Sequence, residues 1–212
     1  PWPGRRLIST ILDNPVVTGR LPWTQAFTRD FWGQVLGQGV GSYRPFVVVT
    51  FAFDWWVGNH SPLPFHLGNV VLHALTVGLL FLALDGPLGR KVAAGAAGLF
   101  AALAPSAEAV ESIVGRADIL VTLAAVGGLW SSQARSPRSW LGLLFLAMGA
   151  LSKETGFILP VVWALWDLVL QPPREGWRPW LKGRGVRWAT ELGRLLDLDG
   201  GYLSRLLRDL KS

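Results

Sequence analysis

The sequence predicts an all-α membrane protein, a polytopic helix bundle, and three observations carry that prediction. Half of the 212 residues are hydrophobic and only 16% are charged, against roughly a quarter charged in soluble domains. Mean hydropathy is +0.35. Residues 65–84 form an apolar run long enough for about 30 Å of helix, the thickness of a bilayer core. Further apolar segments follow at 92–104, 119–130, 140–151 and 157–170, which makes residues 65–170 a five-span domain.

Composition also excludes several function classes. The chain has no Cys, so disulfides, thiol nucleophiles and Cys-ligated zinc are ruled out. A net charge of +6 is compatible with nucleic acid, but the basic residues are scattered among apolar runs and no binding motif accompanies them. They fit membrane flanks instead. The only Met is Met148, which leaves room for a span or signal segment upstream of Pro1.

Taken in order, residues 1–64 read as a loop-rich external segment with many Pro, Gly and Trp. Within it, residues 28–32 are expected to start a short helix. Residues 45–57, PFVVVTFAFDWWV, are too short to span and rich in aromatics, and are expected to lie along the membrane interface. The span 65–84 is expected to close at the breaker Asp85-Gly86-Pro87. In 92–104, Ala93, Ala97 and Ala101 and likewise Ala94, Gly98 and Ala102 recur every four residues, permitting close helix approach in lipid. That segment can continue through Pro105 to Ala109 with a kink.

Taken one at a time, the shorter segments also fit buried helices of a soluble core. Loop charge favours the membrane. If the chain alternates sides, Arg90, Lys91, Arg135, Arg138 and the basic tail 171–212, with Arg174, Arg178, Lys182, Arg184 and Arg187, share one side. The opposite short loops carry only Arg116 and Lys153. By the positive-inside rule, residues 86–90 and 132–138 are cytoplasmic, while 1–64, 106–115 and Lys153-Glu154 lie outside. In the tail, Trp188, Leu192, Leu195 and Leu196, then Leu203, Leu206, Leu207 and Leu210, recur at helical spacing. Two short amphipathic helices on the cytoplasmic face are expected there.

The candidate chemistry centres on PSAEAVESIVGRADIL, residues 105–120, where Glu108, Glu111, Arg116 and Asp118 interrupt apolar sequence at a costly place for charge. Glu108 and Glu111 share one helical face. They can serve as a base for a hydroxyl or as ligands for a divalent cation, and two ordinary solvated glutamates are the plain alternative. Arg116 either pairs locally with Asp118 or offers its planar donor fork to a phosphate. Lys153 and Glu154 sit between apolar runs, facing a polar cavity or forming a tight watery turn at Gly156. In Ser42-Tyr43-Arg44-Pro45, Tyr43 and Arg44 offer an interface aromatic and a phosphate-binding cation, or simply a turn. His66, Asn69 and His73 lie on one stripe, where interhelical hydrogen bonds are favoured over a metal site. No nucleophile elbow, phosphate-binding loop or zinc motif is present.

These residues, as SYRP (42–45), FHLGNVVLHAL (65–75), PSAEAVESIVGRADIL (105–120) and LSKETGF (151–157), resemble in order the membrane domain of the transmembrane and tetratricopeptide-repeat O-mannosyltransferase family. NPVV (14–17) and DFWG (30–33) are similar to that family's first external loop. The resemblance, running from about Asn14 to Asp167, implies a C-type glycosyltransferase. Such an enzyme moves mannose from a polyprenyl-phosphate donor to Ser or Thr hydroxyls of a protein or peptide acceptor on the non-cytoplasmic side. It implies Glu108 and Glu111 as catalytic carboxylates, Arg116, Arg44 and Lys153 at the donor phosphate, and Tyr43, Asp118 and Glu154 in support. Lipid is then a partner, nucleic acid is not, and metal dependence stays open. Two departures stand out. The family's acidic pair ahead of the NP motif, just after a first span, is replaced by Arg5-Arg6, and its His-Pro-x-His-Thr-Glu loop reads Ala104-Pro105-Ser106-Ala107-Glu108. No tetratricopeptide repeats are seen either, and with that span and acidic pair absent the isolated chain is expected to be inactive. The competing class is a noncatalytic scaffold or transporter-like bundle in which the same charges form structural pairs.

Overall fold

The structure, a computed structural model, describes residues 8–38, 42–58, 60–133 and 139–170. The basic residues Arg5, Arg6, Arg135 and Arg138 and the expected tail helices lie outside the described residues. The described chain is an all-α membrane helix bundle: α1 (Pro45–Gly58), α2 (Leu63–Leu88), α3 (Arg90–Ala102), α4 (Ala104–Glu111), α5 (Arg116–Ser132), α6 (Ser139–Ala150) and α7 (Leu159–Leu170), with short 3-10 turns between α4 and α5 and between α6 and α7.

Among the described residues, two helical stretches are long and apolar enough to cross a membrane, Leu63–Leu88 and Ile113–Ser132, and a third qualifies if α3 and α4, bent by 53° at Leu103, count as one broken span. The helices α6 and α7, at 12 residues each, reach only about 18 Å. The expected break at Asp85-Gly86-Pro87 does not end α2, which runs on to Leu88. Pro87 sits in the last turn, where its missing N–H frees Ala83 O to accept from Gln133 Nε2 at 2.8 Å, and the stop comes at Gly89, whose φ of +81° ordinary residues avoid. Pro105 lies in the first turn of α4, where a proline costs nothing, so Leu103 becomes the bend.

The central helix is α5. About two thirds (67%) of its best apolar window is buried, against 22% for α2, and it packs chiefly on α2 and α6. Small residues set these approaches: a Cβ at Gly127 would strike the Phe145 ring, and one at Gly128 the Trp163 ring. Trp163 is fully buried and its Nε1 donates to Ala125 O at 2.8 Å. The four-residue spacing on α3 works similarly, with Ala93 and Ala97 buried as α3 packs along α2.

The N-terminal segment is irregular but packed. Ile11, Val16, Val17, Ala26 and Phe31 join Val47, Val48 and Phe51 of α1, Phe65 of α2 and Leu120 of α5 in one core. The helix expected at residues 28–32 is displaced to a 3-10 turn at Trp23–Thr28. Asp30 overrides it, because its Oδ1 accepts from the backbone N–H groups of Trp32 and Gln34 at 3.0 and 2.8 Å and so fixes a turn. Asn14 closes the same unit: Oδ1 accepts from Val16 N at 3.0 Å and Nδ2 donates to Phe31 O at 3.2 Å. Gly33, at φ +84°, leaves no room for a Cβ beside Pro15, 2.7 Å away. The NPVV and DFWG motifs are therefore two halves of one packed cap.

A charged cavity at one end of the bundle

Backbone and side-chain links gather the distant motifs at one end of the bundle. Phe46 N donates to Leu151 O at 3.1 Å, tying the start of α1 to the end of α6. Asn69 Nδ2 donates to Ser112 O at 2.9 Å and to Val110 O at 3.4 Å, tying α2 to the loop between α4 and α5. At the far end, Gln133 Nε2 donates to Ala83 O at 2.8 Å. The segments 42–44, 105–118 and 152–154 thus share one end, and the turn at residues 85–90 lies at the other.

A cavity of about 720 Å³ opens there, walled by Ser42, Arg44, Glu108 and Asp118 at its charged side and by His73 and Phe100 between α2 and α3. Glu108 lines it and is exposed, with no ion pair to any described residue. Glu111 is exposed as well but is not part of the wall. Although both carboxylates lie on α4, the cavity meets only one of them.

Two ion pairs frame the rim. Arg44 Nη2 contacts Glu154 Oε2 at 3.1 Å, and Lys153 pairs with Asp118. Glu154 also accepts from Ser42 Oγ at 3.4 Å. Partial burial works against its ionisation, but its own backbone N–H, the Arg44 guanidinium and the Ser42 hydroxyl outweigh that, and the carboxyl lies below the ordinary glutamate range. Arg44 lies over the Phe31 ring, 5.4 Å from its centroid, a cation–π contact that holds it at the mouth. Tyr43 donates from its hydroxyl to Phe27 O at 3.2 Å, and burial raises its pKa above the usual phenol value.

Arg116 departs from its expected role. Its side chain is only 1% exposed and forms an ion pair with Asp54 of α1. Nε donates to Asn69 Oδ1 and Nη2 to Phe65 O, both at 2.7 Å, and the guanidinium stacks on Phe51 at 4.8 Å. The donor fork expected at a phosphate is spent inside the protein. The local pair with Asp118 does not form either, because the two side chains leave the first turn of α5 in different directions, one to Asp54 and one to Lys153.

This clasp joins α1, α2 and α5. It needs Gly68, where a Cβ would lie 2.7 Å from Arg116 Nη2 and 3.1 Å from Asp54 Oδ2. Burial raises the Asp54 carboxyl above its ordinary value, against the attraction of Arg116. Sequence reasoning missed Asp54 as a partner, although a lone acid in PFVVVTFAFDWWV was its signal. Asn69 does make the interhelical bonds expected of its stripe, whereas His73 Nε2 is buried with no hydrogen-bond partner among the described residues. No group of three or more His, Asp or Glu side chains among the described residues is placed to hold a metal ion.

Fold and site together define an all-α membrane helix bundle with a charged cavity at one end. Its sequence matches Tmtc2 of Drosophila melanogaster, named a protein O-mannosyl-transferase, at 36% identity over 75% of this chain and 19% of that protein. TMTC1 of Homo sapiens, with the same activity in its name, is 35% identical over 74% of the chain and 20% of its own length. The Caenorhabditis elegans protein O-mannosyl-transferase F38B6.6 is 31% identical over 70% and 22%. These relatives, similar over 70–75% of this chain, are TMTC family protein O-mannosyl-transferases, and the chain spans about a fifth of their length. No family model matches it, and no solved structure does.

Proposed function

We propose that the cavity is the donor and acceptor site of a membrane glycosyltransferase, which transfers mannose or a similar sugar from a polyprenyl-phosphate donor to Ser or Thr hydroxyls of a protein. The observation that carries this reading is the convergence of Arg44, Glu108 and Asp118 on one cavity beside the two longest apolar helices. An anionic phosphodiester with a lipid tail needs cations at a membrane edge, and Arg44 and Lys153 supply them once they exchange Glu154 and Asp118 for the phosphate. Glu108, unpaired and exposed, takes the proton of the attacking hydroxyl as the sugar leaves the phosphate. Glu111 lies beyond the wall and supports rather than performs this step. The end carrying the cavity is the non-cytoplasmic one, as the loop charges indicate, and the chain is multi-pass.

The test is transfer from polyprenyl-phosphate mannose to a Ser/Thr-rich peptide by the purified chain, with donor binding measured in parallel. If the purified chain is active by itself, Glu108→Gln lowers turnover by roughly 10²- to 10⁴-fold and leaves donor binding nearly unchanged. Undiminished transfer by Glu108→Gln refutes its role as base, and failure of the wild-type chain to bind the donor refutes the reading as a whole.

A further inference from the structure

We infer that His73 is a donor-binding residue, contacting the phosphate of the polyprenyl-phosphate head group; this rests on the reading of the cavity given above. Two independent observations meet at this side chain. His73 lines the cavity wall on α2, and its Nε2 is buried without a hydrogen-bond partner among the described residues. Leaving a buried ring nitrogen unpaired is costly, and the nearby structure does not relieve it: the neighbouring face is the Phe100 ring, whose centroid lies 5.6 Å from that of the imidazole at 32°.

Depth selects the ligand group. His73 lies one helical turn beyond Asn69, which meets the α4–α5 loop, and Thr76 continues the wall below it. The hydroxyls of Thr76 and of Thr122 on α5 are already donated to Leu72 O and Asp118 O, at 2.8 and 2.7 Å. His73 therefore holds the deepest uncommitted donor on this wall. In a polyprenyl-phosphate sugar lying in a bilayer, the order from the interior outward is isoprene, phosphate, sugar. The deepest polar group of the ligand is the phosphate, and it meets the deepest uncommitted polar group of the wall. The imidazole presents Nε2 to the cavity by a half turn about its Cβ–Cγ bond, a broad torsion that leaves the ring plane, and so its stacking on Phe100, in place. Arg116, the cation expected from sequence to do this work, is committed to Asp54.

The experiment measures binding of three lipids to the purified chain in nanodiscs: polyprenyl-phosphate mannose, polyprenyl phosphate and the uncharged polyprenol. His73→Leu is expected to weaken both phosphate-bearing lipids by roughly tenfold or more and to leave polyprenol unchanged, while His73→Gln, which keeps an N–H donor, retains most of the affinity. Equal binding of both phosphate lipids by wild type and His73→Leu overturns the inference while leaving the cavity's function standing. So does a loss confined to the mannosylated lipid, which would assign His73 to the sugar. If the wild-type chain discriminates none of the three lipids, the proposed function falls and the inference falls with it.

Discussion

The clasp and the rim are built from the same residue types and do opposite things. In the clasp, Arg116 and Asp54 are nearly inaccessible, at 1% and 10% side-chain exposure, and Asn69 and the Phe65 carbonyl occupy the rest of the guanidinium. At the rim, Arg44 is 21% exposed and Glu154 58%, with Lys153 and Asp118 similarly open. A buried pair is hard to break because each partner strands the other in a medium that cannot solvate it. A rim pair is screened by water and exchanges partners readily. The clasp fixes the helices that carry the site, and the rim is where a ligand can enter.

The largest expected effect is therefore in the clasp. Arg116→Ala should destabilise the fold by about 3–5 kcal/mol, as loss of one partner from a buried pair does, measured by denaturant unfolding in detergent. The double variant Asp54→Leu/Arg116→Met should be more stable than Arg116→Ala. If the double variant is the less stable of the two, the clasp acts through something other than buried charge. Next in size is Gly68→Ala, expected to cost about 1–3 kcal/mol by overpacking against the clasp; a neutral result would mean that the three helices do not meet as closely as described.

The smallest effect belongs to the rim. Glu154→Gln should change stability by no more than about 1 kcal/mol. Its signature is in acid: a carboxyl whose folded pKa is depressed adds stability above its unfolded pKa, and that stability is lost as pH falls through the folded value. The Arg44–Glu154 contribution should thus disappear below the ordinary glutamate value of 4.5. The wild type and Glu154→Gln should converge in stability on acidification, and parallel curves would argue that the pair does not form.

Much of this arrangement was legible in the sequence, and its limits have a physical cause. Apolar period and length marked the helices because burial in lipid or core leaves a local signature. PSAEAVESIVGRADIL and SKETG were marked by charges interrupting apolar runs and SYRP by an aromatic beside a cation, and they do converge at one end. Partner choice was not legible. Arg116 has Asp118 two residues away, yet it pairs with Asp54 across the bundle, because α5 turns its first residue toward α1 and Gly68 leaves the space for the contact. A lone acid in an apolar helix demands a partner, so Asp54 announced the need without naming Arg116. Glu108 and Glu111 could not be separated by spacing alone, since the cavity that meets only one of them is made by α2, α3 and α5.

The most direct test of the division between clasp and rim is the affinity of the purified chain for polyprenyl-phosphate mannose with both rim cations neutralised, as Arg44→Gln/Lys153→Gln. The account predicts a loss of roughly tenfold or more, with stability within about 1 kcal/mol of wild type; a stable double variant that binds the donor as tightly as wild type contradicts it.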